Sequence, residues 1–346
     1  MPPYLTIVTP GRNDDHGGGF VWRLNAGLSG LVDQLERHAI DSEIILVDWN
    51  PPSDRPPLAD VIDWPARSTR HCRLRIIRVP PAVHQRAEGW NRLPMNVVAA
   101  MNCGIRRADG RFVLPRPADL IYSEELVAFI AERSLDERRR YRIDRLDVDA
   151  GVVRLETLAE RLTYCESHVV KRNGQGSGEG PIPNWNGPAL HTNASGDFQL
   201  MARTCWHQLR GYYEHDIAGA YVDGLLSYAS HAAGIHEVIL QDPLRLFHMD
   251  HGGKFSDRLS IHEPPMSSWL SRLPLDGRMS RRIQGVYRRL LGLVGYRATS
   301  SVHGVRTLDY GDYRRLCRQI IGGKRSFVLN GDDWGVGDAA LEETNA

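Results

Sequence analysis

Five clusters of side chains, the first drawn from two stretches and the fifth a single stretch, could grip phosphate, sugar or metal. Thr9, Arg12, Asn13, Asp14 and Asp15 cluster in TPGRNDD, and Asp48 closes the apolar run EIILVD. A carboxylate at a strand end accepts hydrogen bonds from a nucleobase or a ribose, and a neighbouring arginine pairs with a diphosphate. Arg116 and Asp119 follow in RPAD. A carboxylate there suits Mg2+ or Mn2+, which bind through oxygen and in turn grip a diphosphate; aspartate is equally a common turn former. Asp197 stands in GDF and Asp223 in VDGLL, at the head of an apolar run. As a helix cap Asp223 is fully explained; facing a ligand, it could take a proton from an acceptor hydroxyl. The fifth stretch is Phe247-His248-Met249-Asp250-His251. Strand alternation puts His248 and Asp250 on one face and Met249 and His251 on the other. One imidazole, His248, is then expected to join Asp119 on a metal.

The elements that must position these groups alternate in type. YLTIVT (4–9), EIILVD (43–48), LRIIRV (74–79) and RFVL (111–114) read as short buried strands. Between them Phe20, Leu24, Leu28, Leu31, Val32 and Leu35 share one helical face, and residues 96–108 read as a second helix. Ser123 is an expected N-cap, with Glu124 and Glu125 in the first turn. Strands alternating with helices imply a mostly parallel sheet, with ligands at the carboxyl ends of its strands. The polar clusters at 9–15, 48–50 and 116–119 fall at such ends. KRNGQGSGEGPIPNWNGP (171–188) reads as a long loop, either a plain connector or a lid in which Trp185 covers a ligand. Further strands are expected at 235–240 and 244–249, with a helix opening at Asp223.

The chain has 346 residues, enough for one large or two modest domains. Its 43 Lys+Arg and 42 Asp+Glu residues leave a formal charge of +1, against the basic excess of an unspecific nucleic-acid binder. Only Lys171, Lys254 and Lys324 are lysines, so nearly every base is an arginine, a planar fork suited to phosphate. Five cysteines without a C-x-x-C pair suggest neither a disulfide framework nor a zinc module, and a reducing cytoplasm is the simplest compartment. No secretory signal and no apolar stretch of about 18 residues is expected to reach or cross a membrane. Ile283, Val286, Tyr287, Leu290, Leu291 and Val294 share a helical face beside Arg281, Arg282, Arg288 and Arg289. Such a helix, over 280–295, packs on the main domain or lies peripherally on an anionic membrane.

Taken in order, these parts resemble the nucleotide-diphospho-sugar glycosyltransferases of the GT-A fold, close to the large family 2 type. EIILVDWN is similar to the family's second strand with its acidic end. MNCGIRRADGRFVL is similar to the segment carrying an Asn or Arg before the fourth strand, and PAD to the metal-binding D-x-D that follows. RGYYE, Val222-Asp223 with GLLSYASHAAGI, and LFHMDH are similar to the later Gly-Tyr-x-Glu segment, acidic pair and histidine. The resemblance covers residues 4–251. Pro117 replaces the first D-x-D acid, and Val222 stands where the family has the Glu of its Glu-Asp pair.

The resemblance implies an α/β, GT-A-like, mostly parallel sheet flanked by helices over residues 1–255, with a partly helical C-terminal extension over 256–346. It implies transfer of a sugar from a UDP- or GDP-linked donor to a glycan or other hydroxyl acceptor. Thr9, Arg12, Asp14, Asp48, Asn102 and Arg116 would hold the nucleotide-sugar, and Asp119 and His248 a divalent Mn or Mg ion. Asp223 would be the base of an inverting reaction, Asp197 would contact sugar hydroxyls, and Trp185 and Glu214 would serve the acceptor or a lid. A non-catalytic carbohydrate- or nucleotide-sugar-binding protein on the same fold and a sugar nucleotidyltransferase are the other readings.

Overall fold

The computed structural model describes residues 2–64, 69–174, 187–214, 219–251, 259–262 and 299–345. Fifteen strands lie at β1 Leu5–Gly11, β2 Ser42–Trp49, β3 Cys72–Val79, β4 Phe112–Pro115, β5 Leu120–Tyr122, β6 Arg139–Ile143, β7 Arg145–Val148, β8 Val169–Asn173, β9 Leu200–Ala202, β10 His236–Leu240, β11 Leu246–Met249, β12 Leu259–His262, β13 Thr299–Val302, β14 Val305–Thr307 and β15 Glu342–Asn345. Among the described residues, eight α-helices accompany them: α1 Phe20–Arg37, α2 Pro81–His84, α3 Val97–Arg106, α4 Glu124–Ala131, α5 Leu158–Ser167, α6 Arg203–Leu209, α7 Val222–Ala232 and α8 Tyr310–Ile321.

The main sheet has eight strands in the order β10-β6-β9-β4-β1-β2-β3-β15. Its centre, β4-β1-β2-β3, is parallel, while β9 and the edge strand β15 run antiparallel to their neighbours. The fold is therefore α/β with a large, mainly parallel sheet flanked by helices. Every residue of β1 and β2 is buried, as befits strands covered on both faces, and this is why they read as unbroken apolar runs. Helix α3 starts where the Asn96 side chain accepts from the Ala99 amide, and α4 where Ser123 accepts from that of Leu126. Helix α3 packs closely on the sheet because residue 104 is glycine; a Cβ there would lie 2.3 Å from Cγ1 of Val8.

A second sheet, β5-β11-β7-β8, stands at the carboxyl end of β4. Strands β6 and β7 (RRYRIDRLDV) carry no apolar run to announce them in the sequence. Arg140 and Arg142 are nevertheless buried inside, each guanidinium held by several partners. Arg140 donates to Gln199 Oε1 and Ser227 Oγ, both at 3.0 Å, and pairs with Glu237. Arg142 donates to the carbonyls of His191, Asn193, Ser195 and Phe198. Burial lowers its pKa only to about 10, so it stays charged at neutral pH.

Described elements on the two sides of the boundary expected at residue 255 touch one another. Helix α8 packs on α7, Trp334 lies 4% exposed within the central core, and β15 pairs with β3. Arg106 and Arg107 of α3 and its C-cap donate to carbonyls of residues 332, 334, 335, 336 and 339. The helix expected over 280–295 lies outside the described residues. Among the described residues, no helix is long and apolar enough to cross a membrane.

Candidate active site

Strand pairing in the second sheet builds the site. Strand β11 lies between β5 and β7, in a register that sets His248 beside Leu120 on one side and Asp147 on the other. Asp119, the residue before β5, is held by its backbone carbonyl, which accepts from the Met249 amide at 2.9 Å. Its carboxylate Oδ2 then sits 3.6 Å from Nε2 of His248 and 3.0 Å from Nε2 of His251. The strand ends at Met249, so the chain leaves the alternation that would have turned His251 away, and both imidazoles reach Asp119. The opposite-face placement of His251 expected from strand alternation is thereby corrected.

The cluster continues on the other side of His248. Its Nδ1 lies 3.2 Å from Oδ1 of Asp147, close enough to pair electrostatically without the alignment of a full hydrogen bond. Asn173 donates to Oδ2 of Asp147 at 2.9 Å, and the Arg145 guanidinium bridges Asp147 and Asp197, each at 2.8 Å. Asp197 belongs to the 191–198 segment that Arg142 grips by its carbonyls. Next to it, the Gly196 amide donates to Oδ2 of Asp223 at 2.9 Å, at the head of α7. Asp119, His248, Asp197 and Asp223, scattered over more than a hundred residues of sequence, are thus linked in one run of contacts through Asp147, Arg145 and Gly196.

The charges follow from this packing. Burial pushes the Asp119 carboxyl up, but hydrogen bonds from His248 and His251 outweigh it and hold the group well below the usual carboxylate range. Burial likewise opposes charge on His248; Asp119 and Asp147 overcome it and raise the imidazole to about 10. Asp147 is drawn down to about 2, against the effect of burial, by His248 and Arg145.

A divalent cation fits this donor set. Asp119, His248 and His251 each offer one ligand atom, all within 4.8 Å of one another. The second oxygen of Asp119 is buried and without a partner among the described residues. One carboxylate with two imidazoles suits Mn2+ or another transition ion better than Mg2+, which prefers oxygen ligands.

The loop after β1 reaches the same place. Asp15, Gly17, Gly18 and Gly19 take positive φ, at 59°, 69°, 72° and 64°. Position 17 tolerates no side chain, since a Cβ there would lie 2.7 Å from Nδ1 of His251. Arg23 fastens this loop from within by donating to the carbonyls of His16, Gly17 and Gly18. Arg12 and Asp14, expected to hold the nucleotide, pair at 2.8 Å near the surface, and Arg12 also donates to the Asn50 carbonyl.

Other expected ligand contacts point inward. Thr9 is fully buried, and Asp48 is 1% exposed with one oxygen accepting from the Leu58 amide; Asp48 thus shapes the 50–58 loop. Asn102 is fully buried in α3 and exchanges hydrogen bonds with the Tyr212 backbone while donating to Glu214 at 2.8 Å. Both N–H donors of its amide are thus taken by the protein. Glu214, expected at the acceptor or a lid, accepts from Asn102 and from the Gly335 amide, closing a joint with the C-terminal segment. Burial raises its pKa. Arg116, expected at the nucleotide-sugar, lies inside: its guanidinium is buried beneath the turn carrying Asp119, donates to the Leu120 carbonyl and lies over the Tyr122 ring at 5.7 Å. Trp185 lies outside the described residues.

Arg145, Asp147 and Asn173 escaped the sequence reading, and His251 reads there as facing away. Alternation in RLDV does place Arg145 and Asp147 on one face, but that signal needs the strand, and the flanking arginines hide it.

No family model matches the chain. No curated protein matches it either. Among solved structures, it is similar to S. aureus TarS 1-349 at 15% identity, over 71% of this chain and 60% of that one, with a TM-score of 0.44. It is similar to the mannosyltransferase PcManGT from Pyrobaculum calidifontis in complex with GDP-Man and Mn2+ at 12% identity, over 97% and 73% of the two chains, TM-score 0.41. The catalytic domain of Drosophila beta1,4galactosyltransferase 7 in complex with xylobiose aligns at 12% identity, over 69% and 66%, TM-score 0.35. The chain thus spans less than two thirds of the TarS segment and of the galactosyltransferase domain.

Proposed function

We propose that the chain is a glycosyltransferase that moves a sugar from a nucleotide-diphospho-sugar to an acceptor hydroxyl. The observation that supports this best is the meeting of Asp119, His248 and His251 with Asp197 and Asp223 beyond the carboxyl end of β4. A divalent cation held by Asp119, His248 and His251 would stabilise negative charge on a leaving diphosphate. Arg12, near the surface of the loop after β1, supplies a guanidinium for the nucleotide's phosphates, and Asp14 orients it. Asp197 accepts from sugar hydroxyls while Arg145 holds it in place. Asp223 takes the proton of the attacking hydroxyl, with attack from the face opposite the leaving group inverting the anomeric centre.

The test is transfer or hydrolysis of UDP- and GDP-linked sugars with Mn2+. Asp223→Asn should lower turnover by about 10^2–10^4-fold, as expected of a lost general base, with nucleotide affinity retained. Turnover within twofold of the unaltered protein would remove Asp223 from that role. Donor binding with no hydrolysis and no transfer would favour a binding protein instead.

A further inference from the structure

We propose that Asp147 is a positioning residue for the cation site, acting through His248 and anchored by Arg145 and Asn173. The inference rests on the metal half of the proposed function and assigns a role to residues outside the three ligands. His248 has two ring nitrogens with different surroundings. Nε2 faces Asp119 at 3.6 Å, and Nδ1 faces Asp147 at 3.2 Å. A histidine that ligates through one nitrogen is oriented by what its other nitrogen meets, and a carboxylate there also makes the ring a better donor. Asp147 is that carboxylate, and the β7–β11 register sets it directly across from His248.

Asp147 is itself held on several sides. Asn173 donates to Oδ2, the Arg145 guanidinium lies against Oδ1, and the residue is 8% exposed. A carboxylate so fixed cannot swing in to become a ligand without breaking these contacts, which separates its role from that of Asp119. Arg145 carries the arrangement further, because the same guanidinium pairs with Asp197. The orientation of His248 and the placement of Asp197 are therefore set by one bridging arginine, and the cation site and the sugar-contacting acid are built as a unit.

The experiment is titration of the whole chain with Mn2+ alone, followed by electron paramagnetic resonance of the free ion, with no nucleotide-sugar present. Thermal melting runs in parallel. Asp147→Asn should weaken Mn2+ binding by about 10–100-fold, the range for outer partners of metal ligands, while the protein still melts cooperatively. Asp242→Asn removes the same charge from an exposed acid paired with Arg245 and Arg172, and should leave affinity within about twofold. If Asp147→Asn does not fold, Asn173→Ala, which frees one oxygen of Asp147, replaces it and should show a smaller loss in the same direction. Affinity unchanged in the folded variant overturns the proposal, as does an equal loss in Asp242→Asn. No Mn2+ binding by the unaltered protein overturns it together with the cation site. Absence of sugar transfer with Mn2+ binding intact would instead count against the transferase reading alone.

Discussion

At the scale of single residues, the composition of the Asp119–His248–His251 cluster would set the selectivity of the proposed cation site. Two imidazole nitrogens and one carboxylate oxygen match ions that accept nitrogen readily, whereas Mg2+ keeps to oxygen and gives up water reluctantly. Mn2+ should therefore bind measurably where Mg2+ at the same concentration does not, as calorimetry would show. His251→Ala removes one of the three donors and should weaken Mn2+ by at least about tenfold; affinity equal to that of the unaltered protein would place the ion elsewhere. The acids and His248 were visible in the sequence because acids at strand ends are rare enough to notice. Their orientation was not. Asp48, Asn102 and Arg116 have the same chemistry as ligand-binding groups, yet each finds a backbone partner inside the protein. Nothing in a residue's type separates those two outcomes. His251 was misplaced for a related reason, since alternation holds only while the strand lasts and this strand ends two residues earlier.

At the scale of elements, the parallel core was legible because each of its strands is covered on both faces and reads as an apolar run. Strands β6 and β7 were hidden by their arginines, whose burial depends on carbonyls and acids far away in the chain. A comparable arrangement sits at the amino ends of the central strands. Glu43 of β2 is fully buried, accepts from Thr6 at 2.6 Å and the Asp109 amide at 2.7 Å, and pairs with Arg73 and Arg75 at 3.0 Å. Burial alone would raise its pKa; these partners outweigh it and hold the carboxyl below its ordinary range. A carboxylate depressed in the folded state stabilises the fold above its ordinary titration range. That contribution fades as the pH falls through the range towards the folded value. Glu43→Gln should cost about 3–5 kcal/mol at pH 7, as for a buried pair deprived of one partner. It should cost much less near pH 3, so melting at the two values checks both size and sign.

At the scale of the molecule, residues 299–345 make contacts with the first 250 residues. Trp334 fills the central core and lies 5.4 Å, centroid to centroid, from His207 of α6. Trp334→Ala should lower stability by about 3–5 kcal/mol. Ending the chain at residue 298 removes α8, Trp334 and β15 together and should abolish cooperative melting. A truncated protein that melts cooperatively near the original temperature would restore the separate extension read from the sequence. The joining contacts are hard to read from sequence: α8 buries Tyr313, Leu316, Cys317 and Ile320 at helical spacing, which announces a helix but not its partner α7, and the carbonyl contacts and Trp334 leave no periodic pattern.

The pairing of β15 with β3 also bears on how the protein is made. Arg75 and its partner Glu343 are 268 positions apart, so during synthesis β3 waits at the rim of a growing sheet long before its neighbour leaves the ribosome. An open strand rim invites pairing with another nascent chain. On β3 the apolar residues are interrupted by Arg73, Arg75 and Arg78, of which Arg75 and Arg78 later meet Glu343 at 2.9 Å and Glu342 at 3.8 Å. Arg73 and Arg75 already have Glu43 of β2 as a partner; until Glu342 and Glu343 arrive, the charge left along β3, Arg78 above all, disfavours pairing with an identical strand.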